Sequence, residues 1–314
     1  MDIELTFKMG DGIMNTTEII SYLSTNAPAI WSGIGPVVGS LITVLFLRKN
    51  TATTEFEKIK SGKFGDVLDD LLSSGHLTYT EFYKANNFLK IAKKADEYYS
   101  QNSHTESAGC FEFDWLIRYY EAVGNISDEN MQDLWAKILA GEINAPSSYS
   151  LKTIDILRNM RKCEVELFTN ICKYSFICNG NELFLPNYDE YMDSVGIQYS
   201  DVMKLSEIGL IFDNGMLSMR FDLPETPAIL SINRDLVLTI CSSETKNEKG
   251  SISQYPFTQV GTELATLVDD MPTDESFILF GKEITKNKNY NVGVYRIVAW
   301  ENDEPKYDEI NLLL

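Results

Sequence analysis

The chain has 314 residues, 44% of them hydrophobic and 23% charged, which suits a folded globular protein with room for two or three cores. Its net charge of −19 excludes broad binding to duplex DNA, which needs a basic field. Five cysteines with no Cys-x-x-Cys pair, and only two histidines, read as reduced thiols in a cytoplasmic protein with no zinc, haem or other cofactor.

The first element is uncharged. From Ile19 to Leu47 no Asp, Glu, Lys or Arg occurs, long enough at about 1.5 Å per residue to cover a bilayer core of roughly 30 Å. Within it Trp31, Gly35, Gly39 and Thr43 recur every four residues, so a helix aligns them on one face, beside an apolar face of Ile34, Val38, Leu41 and Leu45. Small residues at that spacing let two helix backbones approach closely. Asp2, Glu4, Asp11 and Glu18 against Lys8 alone argue against a secretory signal. A helix buried in a protein core and a helix inserted in a membrane both stay open. The glycines and Pro36 weaken continuity in water, whereas Ser32 and neighbouring helices satisfy the freed carbonyl in lipid. Arg48, Lys49, Lys58, Lys60 and Lys63 then place the C-terminal body on the cytoplasmic side of an inner membrane. A helix sheltered in a cytoplasmic oligomer and inserted on activation joins the two readings.

Thr51–Leu72 has helical spacing and Gly75 closes it; Thr78-Tyr-Thr-Glu81 is a capping box opening a helix to about Tyr99. Gln101–Gly109 is a polar linker. Phe111–Tyr120 predicts a helix capped by Gly124, and Ser127 caps the next, which stops at Gly141. Short helices follow over Ser150–Met160 and Glu164–Cys172. Then the period changes. Asn179-Gly180 and Asn214-Gly215 each sit between apolar runs and predict hairpins, the second over Leu210–Met219, with a helix around Ser200–Ile208 between them. Another hairpin is expected over Ile229–Ile240, helices over Phe257–Val268 and Asp274–Lys286, and a strand over Val292–Trp300.

These elements predict a mainly α protein with a smaller β part. An N-terminal segment with an apolar helix occupies 1–50, a helical hairpin 51–104, a helical domain 105–175, a winged-helix-like α+β module 176–270, and a C-terminal α/β extension 271–314. The recognition helix of that module, Ser200–Glu207, carries one lysine against two acids and is badly equipped for phosphates, so an interaction role is expected. No nucleophile elbow, Walker loop, dinucleotide fingerprint or metal cluster occurs, so no enzymatic activity is expected. The most basic stretch holds Arg158, Arg161 and Lys162, which either suit a helix C-terminus or form an anion site for a nucleotide or short oligonucleotide.

The segment Leu134-Trp-Ala-Lys-Ile-Leu-Ala-Gly-Glu-Ile143, continuing to Pro146 and Ser150-Leu-Lys-Thr-Ile154, resembles the hallmark of an uncharacterised bacterial domain family. The resemblance covers roughly residues 105–270, including Phe257-Thr-x-x-Gly-x-Glu-Leu264, and supplies no activity or catalytic residues. A Gly-rich apolar N-terminus on a helical and winged-helix body is also similar to anti-phage abortive-infection effectors. That similarity implies a membrane-acting, pore- or channel-forming homo-oligomer held inactive by a ligand or a regulatory protein partner. Trp31, Gly35, Gly39 and Thr43 would then pack the pore helices. The alternative is a soluble winged-helix-like interaction or regulatory module with the apolar helix in its core.

Overall fold

A computed structural model describes residues 6–9, 12–15, 64–73, 75, 78–101, 113–178, 182–213, 218–243, 249–268, 272–302 and 304–314. The chain divides into two compact units, residues 1–158 and 159–314. The apolar segment 27–47, most of the helix expected from Thr51 and the 101–109 linker's interior lie outside the described residues.

Among the described residues the first unit contains a short antiparallel hairpin, β1 (Thr6–Met9) with β2 (Gly12–Asn15), and five helices. These are α1 (Phe64–Ser73), α2 (Tyr79–Gln101), α3 (Phe113–Val123), α4 (Glu129–Asn144) and α5 (Leu151–Asn159), the last ending just past the division. The expected capping box opens α2. Glu81 accepts the Thr78 amide at 2.8 Å while the Thr78 hydroxyl accepts the Glu81 amide at 3.3 Å. Ala85, Phe88, Leu89, Ile91, Ala92 and Ala95 form the buried stripe of α2, and Lys90 and Lys93 face water.

Two boundaries differ from expectation. The cap of α4 is Asp128 rather than Ser127, because its carboxylate reaches the Met131 amide at 3.0 Å. Gly141 does not end α4 but lies inside it, where a Cβ would stand 2.9 Å from the Tyr149 ring. Close approach, not backbone freedom, is what requires glycine there. Gly124 likewise lies against Lys84, with a would-be Cβ 2.9 Å from the lysine Cβ. The core beneath is aromatic: Tyr119 stacks on Trp115 at 5.0 Å and meets Trp135 edge-on at 5.5 Å. Such pairs add about 1 kcal/mol each beyond the apolar area they bury.

The second unit departs further from expectation. It holds α6 (Lys162–Cys172), α7 (Asp189–Val195), α8 (Tyr199–Ile208), α9 (Gln259–Ala265) and α10 (Asp274–Thr285). Its strands are β3 (Phe176–Cys178), β4 (Glu182–Pro186), β5 (Ser218–Asp222), β6 (Ala228–Asn233), β7 (Leu236–Ser242), β8 (Lys249–Pro256), β9 (Tyr290–Glu301) and β10 (Glu304–Tyr307). They make one antiparallel sheet in the order β10-β9-β7-β6-β3-β4-β8-β5. The architecture is therefore mixed α+β, with more sheet than a mainly α fold has. The strands expected to form a small winged-helix-like module are instead parts of this eight-stranded sheet, which continues into the last 25 residues through β9 and β10.

The β3–β4 and β6–β7 hairpins form where the turn residues predicted them, the second with Asn233 opposite Leu236 and Arg234 at a positive φ of 46°. The hairpin expected over Leu210–Met219 does not form. Ile211 bridges Phe257, and Ser218–Asp222 pairs with β8 instead. Leu210 and Ile211 are fully buried against the start of α9, where the Leu210 carbonyl accepts the Thr258 amide at 2.9 Å, so pairing the two runs together would uncover them.

Helix α10 packs on one face of the sheet. Phe280 stacks on Phe176 of β3 at 4.8 Å and meets Phe184 of β4 at 5.9 Å, while Gly281 lets Val294 of β9 and Leu238 of β7 come close. One helix thus touches four strands, and the aromatic cluster around Phe280 is the centre of this unit's core.

Candidate functional site

The sequence marks three places, and the structure treats each differently. Trp31, Gly35, Gly39 and Thr43 lie outside the described residues. Among the described residues no helix is long and apolar enough to cross a membrane.

The basic trio spans the division between the units. Arg158 is exposed near the end of α5, and Lys162 is exposed as the first residue of α6. Arg161 is the N-cap of α6. Its amide donates to Glu164 Oε2 at 2.7 Å, and its guanidinium grips Glu164 Oε1 through Nε at 2.9 Å and Nη2 at 2.6 Å. The fork holds the Glu164 carboxyl below its usual range and raises the guanidinium's. Arg161 is therefore spent on its own helix and offers a reduced charge to any anion. Lys204, the one lysine of the expected recognition helix α8, is likewise paired with Asp201 at 3.0 Å.

The hallmark around Leu134–Ile143 builds a locked loop. Glu142, 2% exposed, accepts the Ser147 amide at 2.7 Å through one oxygen and the Tyr149 amide at 2.9 Å through the other. The Tyr149 ring rests on Gly141, and its carbonyl accepts the Trp115 indole N–H at 2.8 Å. Trp135 is fully buried, and its carbonyl accepts the Tyr119 hydroxyl at 2.6 Å. Trp, Gly and Glu of the motif thus fasten the 145–150 loop onto α4 and the aromatic core. Nothing in this arrangement holds a reacting group in a cleft.

A place the sequence did not mark has the shape of a site. A cavity of about 210 Å³ is lined by the end of α6, by β3 with Phe176 and Ile177, by β4, by the end of β6 and by α9. Cys172, Ile177, Leu183, Ile232, Ala265 and Val268 supply apolar walls, with Asn233, Ser175, Thr262 and Thr266 among the polar ones. Burial pushes the Cys172 thiol far above its ordinary range, so it lines the wall as a neutral group. No local motif announces this cavity. Its walls come from segments some ninety residues apart in sequence, joined because β6 pairs with β3 and α9 packs beside them. The partial signal was the strand alternation that leaves Ile177 and Ile232 facing outward from a buried sheet.

Among the described residues no cluster of His, Cys, Asp and Glu can hold a metal ion. No curated protein and no solved structure matches this chain. A family model does, over residues 77–279, a span that includes the locked loop and the walls of the cavity. The chain thus belongs to the family described as "Protein of unknown function (DUF2806)".

Proposed function

We propose that this protein is a membrane-acting effector of a bacterial anti-phage, abortive-infection system. In this reading it is a homo-oligomer that builds a pore or channel from residues 27–47 and is held inactive by a ligand or a protein partner. The observation that carries the reading is the uncharged run Ile19–Leu47, followed at once by Arg48 and Lys49, in a chain of net charge −19. One bilayer-length segment cannot enclose a pore, so several copies must assemble. The face of Trp31, Gly35, Gly39 and Thr43 supports helix contacts, and the adjoining apolar face suits lipid. The remainder of the chain serves as a cytoplasmic regulatory body. The acidic balance and the paired lysine of α8 support a partner other than duplex DNA.

The test is expression in bacteria with a membrane-potential dye, beside carbonate extraction of the membranes. The wild-type chain is expected to depolarise cells and resist extraction, and a Gly35→Leu/Gly39→Leu double variant, still apolar enough to insert, to resist extraction without depolarising cells while remaining folded. A well-expressed double variant that depolarises undiminished would remove the small-residue face from the mechanism.

A second reading, a soluble interaction or regulatory module with residues 27–47 buried in its core, draws support from the well-packed cores of the two units. Under it the full chain purifies without detergent as a single species that neither binds vesicles nor releases dye.

A further inference from the structure

We infer that the cavity bounded by Ile177, Leu183, Ile232 and Ala265 is a binding site for a small hydrocarbon group, about the size of one substituted ring, that brings neither charge nor hydrogen-bonding atom. The inference goes beyond the membrane-acting reading and does not depend on it.

Strand register builds the floor. Ile177 lies opposite Leu183, and Cys178 opposite Ser231, so Leu183, Ile177 and Ile232 form one row across β4, β3 and β6. Phe176, beside Ile177 on β3, stacks on Phe280 of α10, so by alternation the row lies on the face of the sheet away from α10. Thr262 and Ala265, three apart on one face of α9, line the same space, as does Cys172 at the end of α6. The two helices leave the row incompletely covered. Ile177 and Ile232 are 47% and 39% exposed, whereas their strand neighbours Phe176, Cys178 and Ser231 are at most 3% exposed. Taking those two branched side chains out of water is the driving force for an occupant.

The polar groups of the lining ask nothing of that occupant. The Ser175 hydroxyl donates to the Ile171 carbonyl at 2.8 Å, and Thr266 to the Glu263 carbonyl at 2.7 Å. Asn233 follows Ile232 and by alternation turns to the other face, where its Nδ2 donates to the Pro272 carbonyl at 2.8 Å and its Oδ1 is closed to solvent. Burial keeps the Cys172 thiol neutral. Thr262 is half-buried, so water serves its hydroxyl. A ligand hydroxyl, amine or carboxylate would give up its own water here with no protein partner in return.

Size sets the limit. An apolar cavity of about 150 Å³ takes up benzene, so 210 Å³ admits a ring with a small substituent. It is too small for a nucleotide and below the roughly 300–1,000 Å³ of drug-sized sites.

The experiment titrates the full-length protein with toluene and with phenol, read by calorimetry and by the isoleucine methyl signals in NMR. Toluene is expected to bind saturably and to shift the Ile177 and Ile232 methyls, with phenol at least tenfold weaker. Ala265→Leu fills the cavity from α9 and should weaken toluene at least tenfold. Ile232→Ser, at an exposed position, should weaken it by making the floor polar, and Thr262→Val should leave it unchanged or tighter. If Ala265→Leu fails to fold, the order of toluene and phenol on the wild type and the Ile232→Ser variant still decide. Absence of saturable toluene binding, phenol binding as tightly as toluene, methyl shifts at other isoleucines only, or indifference to Ile232→Ser would each overturn the inference.

Discussion

The Tyr290 hydroxyl accepts a hydrogen bond from the Ser251 amide at 2.8 Å and returns one to the Ser251 carbonyl at 3.3 Å. Tyr290 opens β9, second from one end of the sheet, and Ser251 lies on β8, second from the other. The sheet therefore curls until its two ends nearly meet around α10. β4 pairs with β8 only from Gln254 onward, so the first half of β8 has backbone groups that no strand satisfies. Tyr290 serves Ser251 there, and the Tyr188 hydroxyl accepts the Ser253 amide at 3.4 Å. Side chains stand in for the missing strand.

Tyr290→Phe keeps the ring and removes both bonds, leaving a part-buried amide and carbonyl unpaired. The expected loss is about 1–3 kcal/mol, read as a lower urea midpoint at unchanged slope. Tyr188→Phe, whose bond is longer, should cost less. A Tyr290→Phe midpoint equal to that of the wild type would mean the closure adds no stability.

The locked loop gives a second prediction. Glu142→Ala strands the Ser147 and Tyr149 amides and should lower stability by about 3 kcal/mol, given the strength of hydrogen bonds to a carboxylate. Glu142→Gln keeps the shape and one acceptor oxygen, so its loss should fall between. Gly141→Ala pushes the Tyr149 ring away and should speed amide hydrogen exchange across 145–150 ahead of the rest of α4. Uniform exchange over α4 and the loop in that variant would show that the loop is held by something else.

Much of this was legible beforehand, for reasons that differ by element. Helix α2 announced itself through Thr78, Glu81 and a regular apolar stripe, and the β6–β7 turn through Asn233-Arg234-Asp235, because these signals are local. Strand β8 was invisible. Its inward positions include Gly250, small so that the Phe221 ring can lie over it, and Gln254, so Lys-Gly-Ser-Ile-Ser-Gln lacks the apolar alternation that marks a strand. The Leu210–Met219 error has the same root, since both runs align with the β8–α9 region, whose partners lie far away in sequence. The Trp135, Gly141 and Glu142 of the hallmark pack and fasten the chain, but the reach of Glu142 back to two loop amides was not readable from spacing. The cavity was hidden because its walls are joined only by topology.

Burial also fixes a pH dependence. Desolvation pushes the Cys178 thiol from 9.0 up to about 12, against a smaller opposing effect of its hydrogen bond with Ser231. It pushes Tyr188 from 10.0 up to about 12, and Tyr120, with Glu81 nearby, from 10.0 up to about 12. In each case the folded pKa is raised, so the unfolded chain loses its proton first. Their contribution is complete below pH 9 and is lost as pH rises from about 9 for the thiol, and about 10 for the tyrosines, towards 12. The slope is roughly 1.4 kcal/mol per pH unit for each group. Urea midpoints should therefore be flat in these groups from pH 7 to 8.5 and fall from pH 9 to 11. Cys178→Ala should make the fall from pH 9 shallower without moving its onset, because burial raises the Cys172 thiol too, and Tyr188→Phe should soften the fall above pH 10. A midpoint that rises over this range would contradict the burial of these groups.

The cysteines give a prediction of accessibility. Cys163 is exposed in the first turn of α6, whereas Cys172 at its far end, Cys178 on β3 and Cys241 on β7 are buried. Burial also raises the Cys172 and Cys178 thiols, which removes the thiolate that reacts. Brief treatment of the native protein with a maleimide, followed by peptide mass spectrometry, should label Cys163 fully before Cys172, Cys178 or Cys241 gains detectable adduct. In urea above the unfolding midpoint all four should label together. Native-state labelling of Cys172 at a rate close to that of Cys163 would mean that α6 lifts off the sheet on the timescale of the reaction.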